Sequence, residues 1–352
     1  MLKKKLLFAA MGRATKLTIF TLLILALLAT IASGCTKEET KPIHLKVVTL
    51  PYIPYVTFYI AQEEGYFAEQ GLDVEFVQFS SATQALPLLV TGDLDVVAGS
   101  IGAGTFNAVA QNMNIRIVAG YQYIDPEQGN VALMVRKDVY DSGELDTVPE
   151  IKGRQVAMSC TACIYDFGMA KILENAGLTL SDIKIARMSP QDIVAAFANK
   201  AIEAAAVGSL QQGQLITGGY AVNLETFSEL IPGFQYGFVM FGPSLLKDNP
   251  EAGKKFMIAY LKAARQYMQG KTERNLDIAQ KYFEMDRETL IQSSWSPVST
   301  DGRVHAQDVL DFQDWAYKNG LVDKEVAAEQ LLDTVFIDYA NSVLGPVPST
   351  GE

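Results

Sequence analysis

Residues 153–177 read GRQVAMSCTACIYDFGMAKILENAG, and the SCTAC inside them holds two of the three cysteines in the 352-residue chain. Cys160 and Cys163 are three apart and interleaved with Ser159 and Thr161, between a short apolar run and what reads as a helix. Three chemistries use such a pattern. A dithiol redox centre needs a thioredoxin-type fold around it, which nothing else in the chain suggests. A metal site needs more than two thiolates, and the two histidines, His44 and His305, are distant in sequence. The third reading is pocket lining, with the cysteines as free thiols or as a local disulfide. It is the favoured one, with no metal and no cofactor called for. Ser159, Cys160, Thr161 and Ala162 sit where a strand passes into a helix N-terminus, whose free N–H groups and positive dipole end attract an anion or a ligand's acceptor atoms.

Other residues of the same kind recur at predicted turns. Tyr52, Tyr55, Tyr59, Tyr121, Tyr123, Tyr165 and Tyr236 fall near expected strand ends or helix starts. Tyrosines in a pocket stack on planar rings and orient them through their hydroxyls. Ser100 and Ser209 each follow a glycine, in Gly99-Ser100 and Gly208-Ser209. Four turns are expected at the carboxyl ends of parallel strands, where open α/β sheets bind ligands: 50–55, 99–103, 159–163 and 208–212. None of the four contains Lys or Arg, which disfavours a simple inorganic anion. The expected ligand-binding set is Tyr52, Tyr55, Ser100, Tyr121, Ser159, Cys160, Thr161, Ala162, Ser209 and Tyr236. The preferred ligand is a small planar heterocycle, such as a pyrimidine or a flavin-type vitamin precursor; the alternative is an aliphatic sulfonate, taurine or nitrate, a sulfonate being held by hydroxyl and backbone donors.

Catalytic chemistry finds little support. AGSIG puts Gly99 directly before Ser100, so the nucleophile elbow G-x-S-x-G is not met. GSIGAG spaces its glycines in the wrong order for a dinucleotide fingerprint. Asp166 and Glu174 read as helix-surface charges. No catalytic residue is assigned.

The elements that must position these residues follow a repeated grammar of short β-branched run, small-residue turn and helix, which predicts α/β layers. TGDLDVVAGS and NKAIEAAAVGSL both run from an apolar helix through a small apolar strand into Gly-Ser. That echo predicts two similar α/β lobes. Strand 236–242 is expected to cross back to the first lobe, with a two-strand hinge near 136–140 and 236–243. The predicted division is 44–137 plus 240–345 for lobe I and 138–239 for lobe II. Helices then dominate, and Val309, Phe312, Trp315 and Ala316 are expected on one buried face. Trp295 is expected to pack rather than to reach the ligand.

The N-terminus bears on compartment. Lys3, Lys4, Lys5, Arg13 and Lys16 precede the apolar run LTIFTLLILALLATIAS (17–33), a signal-peptide pattern over residues 1–34. Met11 offers a second start. Ser33-Gly34-Cys35 resemble the end of a lipobox, which implies lipidation of Cys35, a tether at 35–43 and an extracytoplasmic, membrane-anchored protein. Removing residues 1–34 takes away five basic and no acidic residues, moving the formal charge from −11 to −16. So acidic a body is a poor nucleic-acid partner.

Longer stretches carry a resemblance. FYIAQEEGYFAEQGLDVEFVQF, ALPLLVTGDLDVVAGS, DIVAAFANKAIEAAAV and DWAYKNGLVDK, with the IKGRQVAMS and KILENAGLTLSDI segments, resemble substrate-binding proteins of ABC importers. The family concerned takes nitrate, aliphatic sulfonates, taurine, thiamine-pyrimidine precursors and related heterocycles, and the resemblance runs from about Leu45 to Tyr339. It implies a type II periplasmic-binding fold, a ligand cleft between two lobes, a monomer, and delivery to a membrane permease with a cytoplasmic ATPase. The cysteines depart from the Ser/Thr-rich turn common in relatives with anionic ligands, and faintly resemble a Cys-rich stretch in a pyrimidine-synthesising relative. A ligand sensor on the same fold is the other alternative class.

Overall fold

A computed structural model of the chain describes residues 41–347 except 128 and 284. The expected signal sequence, Cys35 and most of the tether therefore lie outside the described residues. Among the described residues no helix is long and apolar enough to cross a membrane.

The strands are β1 (Ile43–Thr49), β2 (Leu72–Gln78), β3 (Val96–Ser100), β4 (Arg116–Gly120) and β5 (Val131–Arg136). They continue as β6 (Gln155–Met158), β7 (Lys184–Arg187), β8 (Ala204–Gly208), β9 (Ala221–Thr226) and β10 (Gly237–Phe241). The described strands form two five-stranded sheets, ordered β2-β1-β3-β10-β4 and β7-β6-β8-β5-β9. In the first, β2, β1 and β3 are parallel and β10 runs antiparallel between β3 and β4. In the second, β7, β6 and β8 are parallel and β5 runs antiparallel between β8 and β9. The Gly-Ser echo is thus a repeat of architecture, and the mixed α/β, two-lobed expectation holds.

The principal helices are α1 (Val56–Glu63), α2 (Ala82–Thr91), α3 (Ala103–Ala110), α4 (Ile164–Asn175), α5 (Pro190–Ala198), α6 (Ser209–Thr217) and α7 (Pro250–Tyr267). α8 (Ala306–Lys318) and α9 (Val335–Leu344) follow. Strand β8, AAAVG, is buried at every position, as a central strand covered on both faces must be. Helix α7 starts where the Asn249 side chain accepts the Ala252 N–H at 3.1 Å, with Pro250 in the first turn. Its buried face includes Phe256, Tyr260, Ala264 and Tyr267. On α8, Val309, Phe312, Trp315 and Ala316 are buried as their spacing requires. Trp295 stacks on Tyr267 and donates its indole N–H to the Tyr267 carbonyl.

The lobe boundary falls elsewhere than 137/138. Strand β5 pairs with β8 and β9, so residues 131–136 belong to the second lobe, and β10 puts 237–239 in the first. The chain crosses at 121–130 and returns at 227–236, where Tyr123 and Gln235 form an isolated antiparallel bridge. The hinge strands near 136–140 and 236–243 are therefore replaced by these two segments. The reason is physical: VALMV (131–135) is an apolar strand that fits either sheet, and only the register with AAAVG decides.

Candidate functional site

The carboxyl ends of β1, β3, β6 and β8 converge on a cavity of about 50 Å³, within a cleft that encloses about 590 Å³ when open solvent is counted. After β1 the chain turns through Pro51-Tyr52 into a 3-10 turn, Ile53–Tyr55, that starts α1. Tyr55 is fully buried and donates its hydroxyl to the Ala98 carbonyl, so it offers the cavity a ring edge and no free donor. Gly99 above it has φ 141°, and a Cβ there would lie 2.8 Å from the Tyr55 hydroxyl. From the second lobe, Gly208 ends β8 beside the Tyr165 hydroxyl and the Tyr52 ring, which a Cβ would meet at 3.2 and 3.4 Å. Two bare strand ends thus keep the cavity open.

The SCTAC segment joins β6 to α4. Cys160 and Cys163 are joined in a disulfide, and both line the cavity. Ala162, inside that four-residue ring, has φ 51°, in the left-handed region. Cys163 is the N-cap of α4, and its N–H donates to the Asp166 carboxylate at 3.3 Å. Asp166 is only 4% exposed and pairs with Arg187 of β7. The surface-charge reading of Asp166 is therefore corrected; Glu174 does lie outside, paired with Lys171. Arg187 was invisible to sequence reasoning because it arrives from a neighbouring strand. A carboxylate seated on the first turn already answers the helix dipole, and its own charge is balanced by Arg187.

Hydrogen bonds cross the cleft from this loop to the first lobe. The Tyr52 hydroxyl and Ser159 Oγ are 3.0 Å apart. The Ala103 N–H, at the start of α3, donates to the Ala162 carbonyl at 3.0 Å. The Ile164 N–H, at the start of α4, donates to Ser100 Oγ at 3.3 Å. Gln211 of α6 adds a bond from its amide to the Pro51 carbonyl at 3.3 Å.

Of the ten expected ligand residues, Tyr52, Tyr55, Ser100, Cys160, Ser209 and Tyr236 line the cavity. Ser159 is spent on Tyr52, Ala162 turns its carbonyl to Ala103, and Thr161 is exposed. Tyr121 is a core residue, 0% exposed and edge-on to Tyr55 at 5.8 Å between ring centres. Sequence reasoning placed it in the ligand set because it follows β4, but the chain there is already crossing between sheets. Ser81, Thr83, Gln122, Asn130, Tyr165 and Ser296 line the cavity unannounced. Tyr165 was among the noted tyrosines, though not in the expected ligand set. Asn130 and Ser296 come from a crossing segment and the C-terminal half, and carry no local signal. Ser296 reaches the site by donating to Ser209 Oγ at 2.8 Å.

No Asp, Glu, His, Lys or Arg is among the described residues lining the cavity. Burial pushes the phenols of Tyr52, Tyr165 and Tyr236 above their ordinary values, so they are neutral hydrogen-bonding groups. The arrangement can stack a ring, donate to its acceptor atoms and exclude water. Among the described residues no group of three or more His, Cys, Asp or Glu could hold a metal ion.

A family model described as NMT1/THI5 like matches residues 54–273. A Brucella abortus protein named as a candidate binding protein is 25% identical over 242 residues, 66% of this chain and 68% of its own. The nitrate-binding protein NrtA from Synechocystis PCC 6803 superposes with a TM-score of 0.72 at 16% identity, covering 88% of this chain and 92% of that one. The alkanesulfonate-binding protein SsuA from Xanthomonas axonopodis pv. citri, bound to MOPS, gives 0.68 at 18% identity, covering 83% and 99%. The desulfurization enzyme DSZB gives 0.61 at 13%, covering 86% and 99%. At these identities the likeness is one of fold, the periplasmic-binding fold, which carries both binders and an enzyme.

Proposed function

Since this chain belongs to the NMT1/THI5-like family, we propose that it is a solute-binding protein that closes two lobes on a small organic molecule and hands it to an ABC importer. The observation that carries this reading is the uncharged cavity itself: four neutral tyrosines, Ser and Asn side chains, and no ionised group among the described lining residues. Such a site suits a neutral planar heterocycle, such as a pyrimidine or a flavin-type vitamin precursor. Stacking supplies affinity and the hydroxyls read the ring edge. A helix N-terminus already matched by Asp166 supports the same preference.

A second reading is favoured by the hydroxyls of Ser81 and Thr83 among the lining residues and by the similarity to sulfonate and nitrate binders. It assigns an aliphatic sulfonate, taurine or nitrate, held by neutral donors alone. In both readings the protein acts outside the cytoplasmic membrane as a monomer, anchored through lipidated Cys35 and docking on a permease served by a cytoplasmic ATPase.

Calorimetry and thermal unfolding of the domain from residue 36 onward, against pyrimidines, flavins, sulfonates and nitrate, test these readings. A bound ligand at a hundred times its dissociation constant stabilises the native state by about 3 kcal/mol. A heterocycle that does so supports the first reading; a sulfonate or nitrate that does so replaces it with the second. Turnover of a bound compound would reopen the enzyme alternative.

A further inference from the structure

We propose that the Cys160–Cys163 disulfide is a positioning device for cleft closure: it holds Ala162 in its left-handed turn so that the Ala162 carbonyl can clasp the first lobe at Ala103. The inference rests on how few alternatives these groups have. Ala103 and Ile164 are the first residues of α3 and α4, and first-turn amides have no partner within their own helix. Both are satisfied across the cleft instead, Ala103 by the Ala162 carbonyl and Ile164 by Ser100 Oγ. The Ala162 carbonyl takes this direction because its residue sits at φ 51°, a conformation that a Cβ-bearing residue disfavours. The disulfide closes the chain on either side of Thr161 and Ala162. Lobe I has been shaped to receive it: a Cβ on Gly102 would lie 3.1 Å from the same carbonyl oxygen and 2.9 Å from Thr83 Cγ2.

Breaking the bond needs two electrons and two protons. A dithiol supplies both, becoming a disulfide itself as the S–S bond gives way to two thiols. Once the ring is open, Ala162 is free to leave the left-handed region, and the Ala103 amide loses its acceptor. The consequence for ligand capture rests on the solute-binding reading: a closed state held less firmly releases its ligand faster.

Hydrogen exchange of the ligand-free protein tests the device without any ligand, so its failure is distinguishable from failure of the binding reading. Exchange at Ala103 and Ile164 would be followed in the oxidised protein, in protein reduced with dithiothreitol, in C160S/C163S, and in C160S/C163S/A162G. The expected result is exchange at Ala103 faster by about tenfold on reduction and in C160S/C163S, with amides of β1 and β3 unchanged. A162G should restore much of the protection, because glycine adopts φ near 50° freely. That rescue would not occur if the sulfur atoms acted only as wall. Unchanged Ala103 exchange after reduction overturns the proposal, and so does loss of protection that A162G leaves unrepaired. Should the serine variants fail to fold, reduction of the folded protein gives the same reading.

Discussion

Gly99 and Gly208 lie in the last two residues of corresponding strands of the two sheets, yet the side chains around them predict opposite consequences of the same substitution. At Gly99 a methyl group would meet the Tyr55 hydroxyl at 2.8 Å on a backbone with φ 141°. Gly99→Ala is expected to destabilise the fold by about 1–3 kcal/mol, read as a lower urea midpoint. Gly208 has an ordinary φ of −85°, and its methyl would enter the cleft in contact with the Tyr52 ring at 3.4 Å and close enough to the Tyr165 hydroxyl, 3.2 Å, to displace it by a few tenths of an ångström. Gly208→Ala should leave the urea midpoint nearly unchanged and weaken ligand binding by roughly tenfold, about 1.4 kcal/mol, in a calorimetric titration. The Gly-Ser echo was legible in the sequence as two turns of one kind. Which glycine guards the fold and which guards the cavity was not, because that depends on tyrosines more than forty residues away in the chain for each of them.

Elements were legible wherever one face repeats. The strand β2 pattern, α4 ending before Gly177, and the buried stripe of α8 all follow from periodicity and cap residues. Helix α7 is a further case: Asn249-Pro250 announces its start, and the cap bond to Ala252 is present. Asn249→Ala should cost about 1 kcal/mol, measured by chemical denaturation. What periodicity cannot give is sheet membership. Residues 131–135 and 237–241 are both short apolar runs, and each becomes the antiparallel strand of its sheet through partners chosen in three dimensions. Asp166 is the corresponding failure at a helix terminus. Its position three after the N-cap marks a capping residue, but its burial was set by Arg187 from β7.

For the molecule as a whole, the placing of charge predicts two pH behaviours. No described lining residue of the cavity is an acid or a base other than tyrosine, so affinity for a neutral ligand should be flat from about pH 5 to pH 9. A steep change inside that range, followed by titration calorimetry, would point to an ionising ligand. Beyond pH 10 the fold itself should suffer. Burial raises the phenols of Tyr52, Tyr55, Tyr121, Tyr165 and Tyr267 above the ordinary value of 10.0. A raised folded-state pKa means that the stability linked to the neutral form is complete below pH 10 and is lost as pH rises past it. Tyrosinate absorbance should therefore appear together with loss of circular dichroism, in one cooperative step.

The two lobes also differ in how the chain delivers them. Every strand of the second sheet lies within 131–226, whereas the first sheet takes four strands from 43–120 and waits for β10 at 237–241. A chain emerging from its N-terminus can finish the later lobe first. Until residue 241 has emerged, β3 and β4 face an empty slot that only β10 fills. The nascent chain thus carries two open strand edges through the synthesis of more than a hundred residues, a stretch in which a holding chaperone or slow translation would find its use.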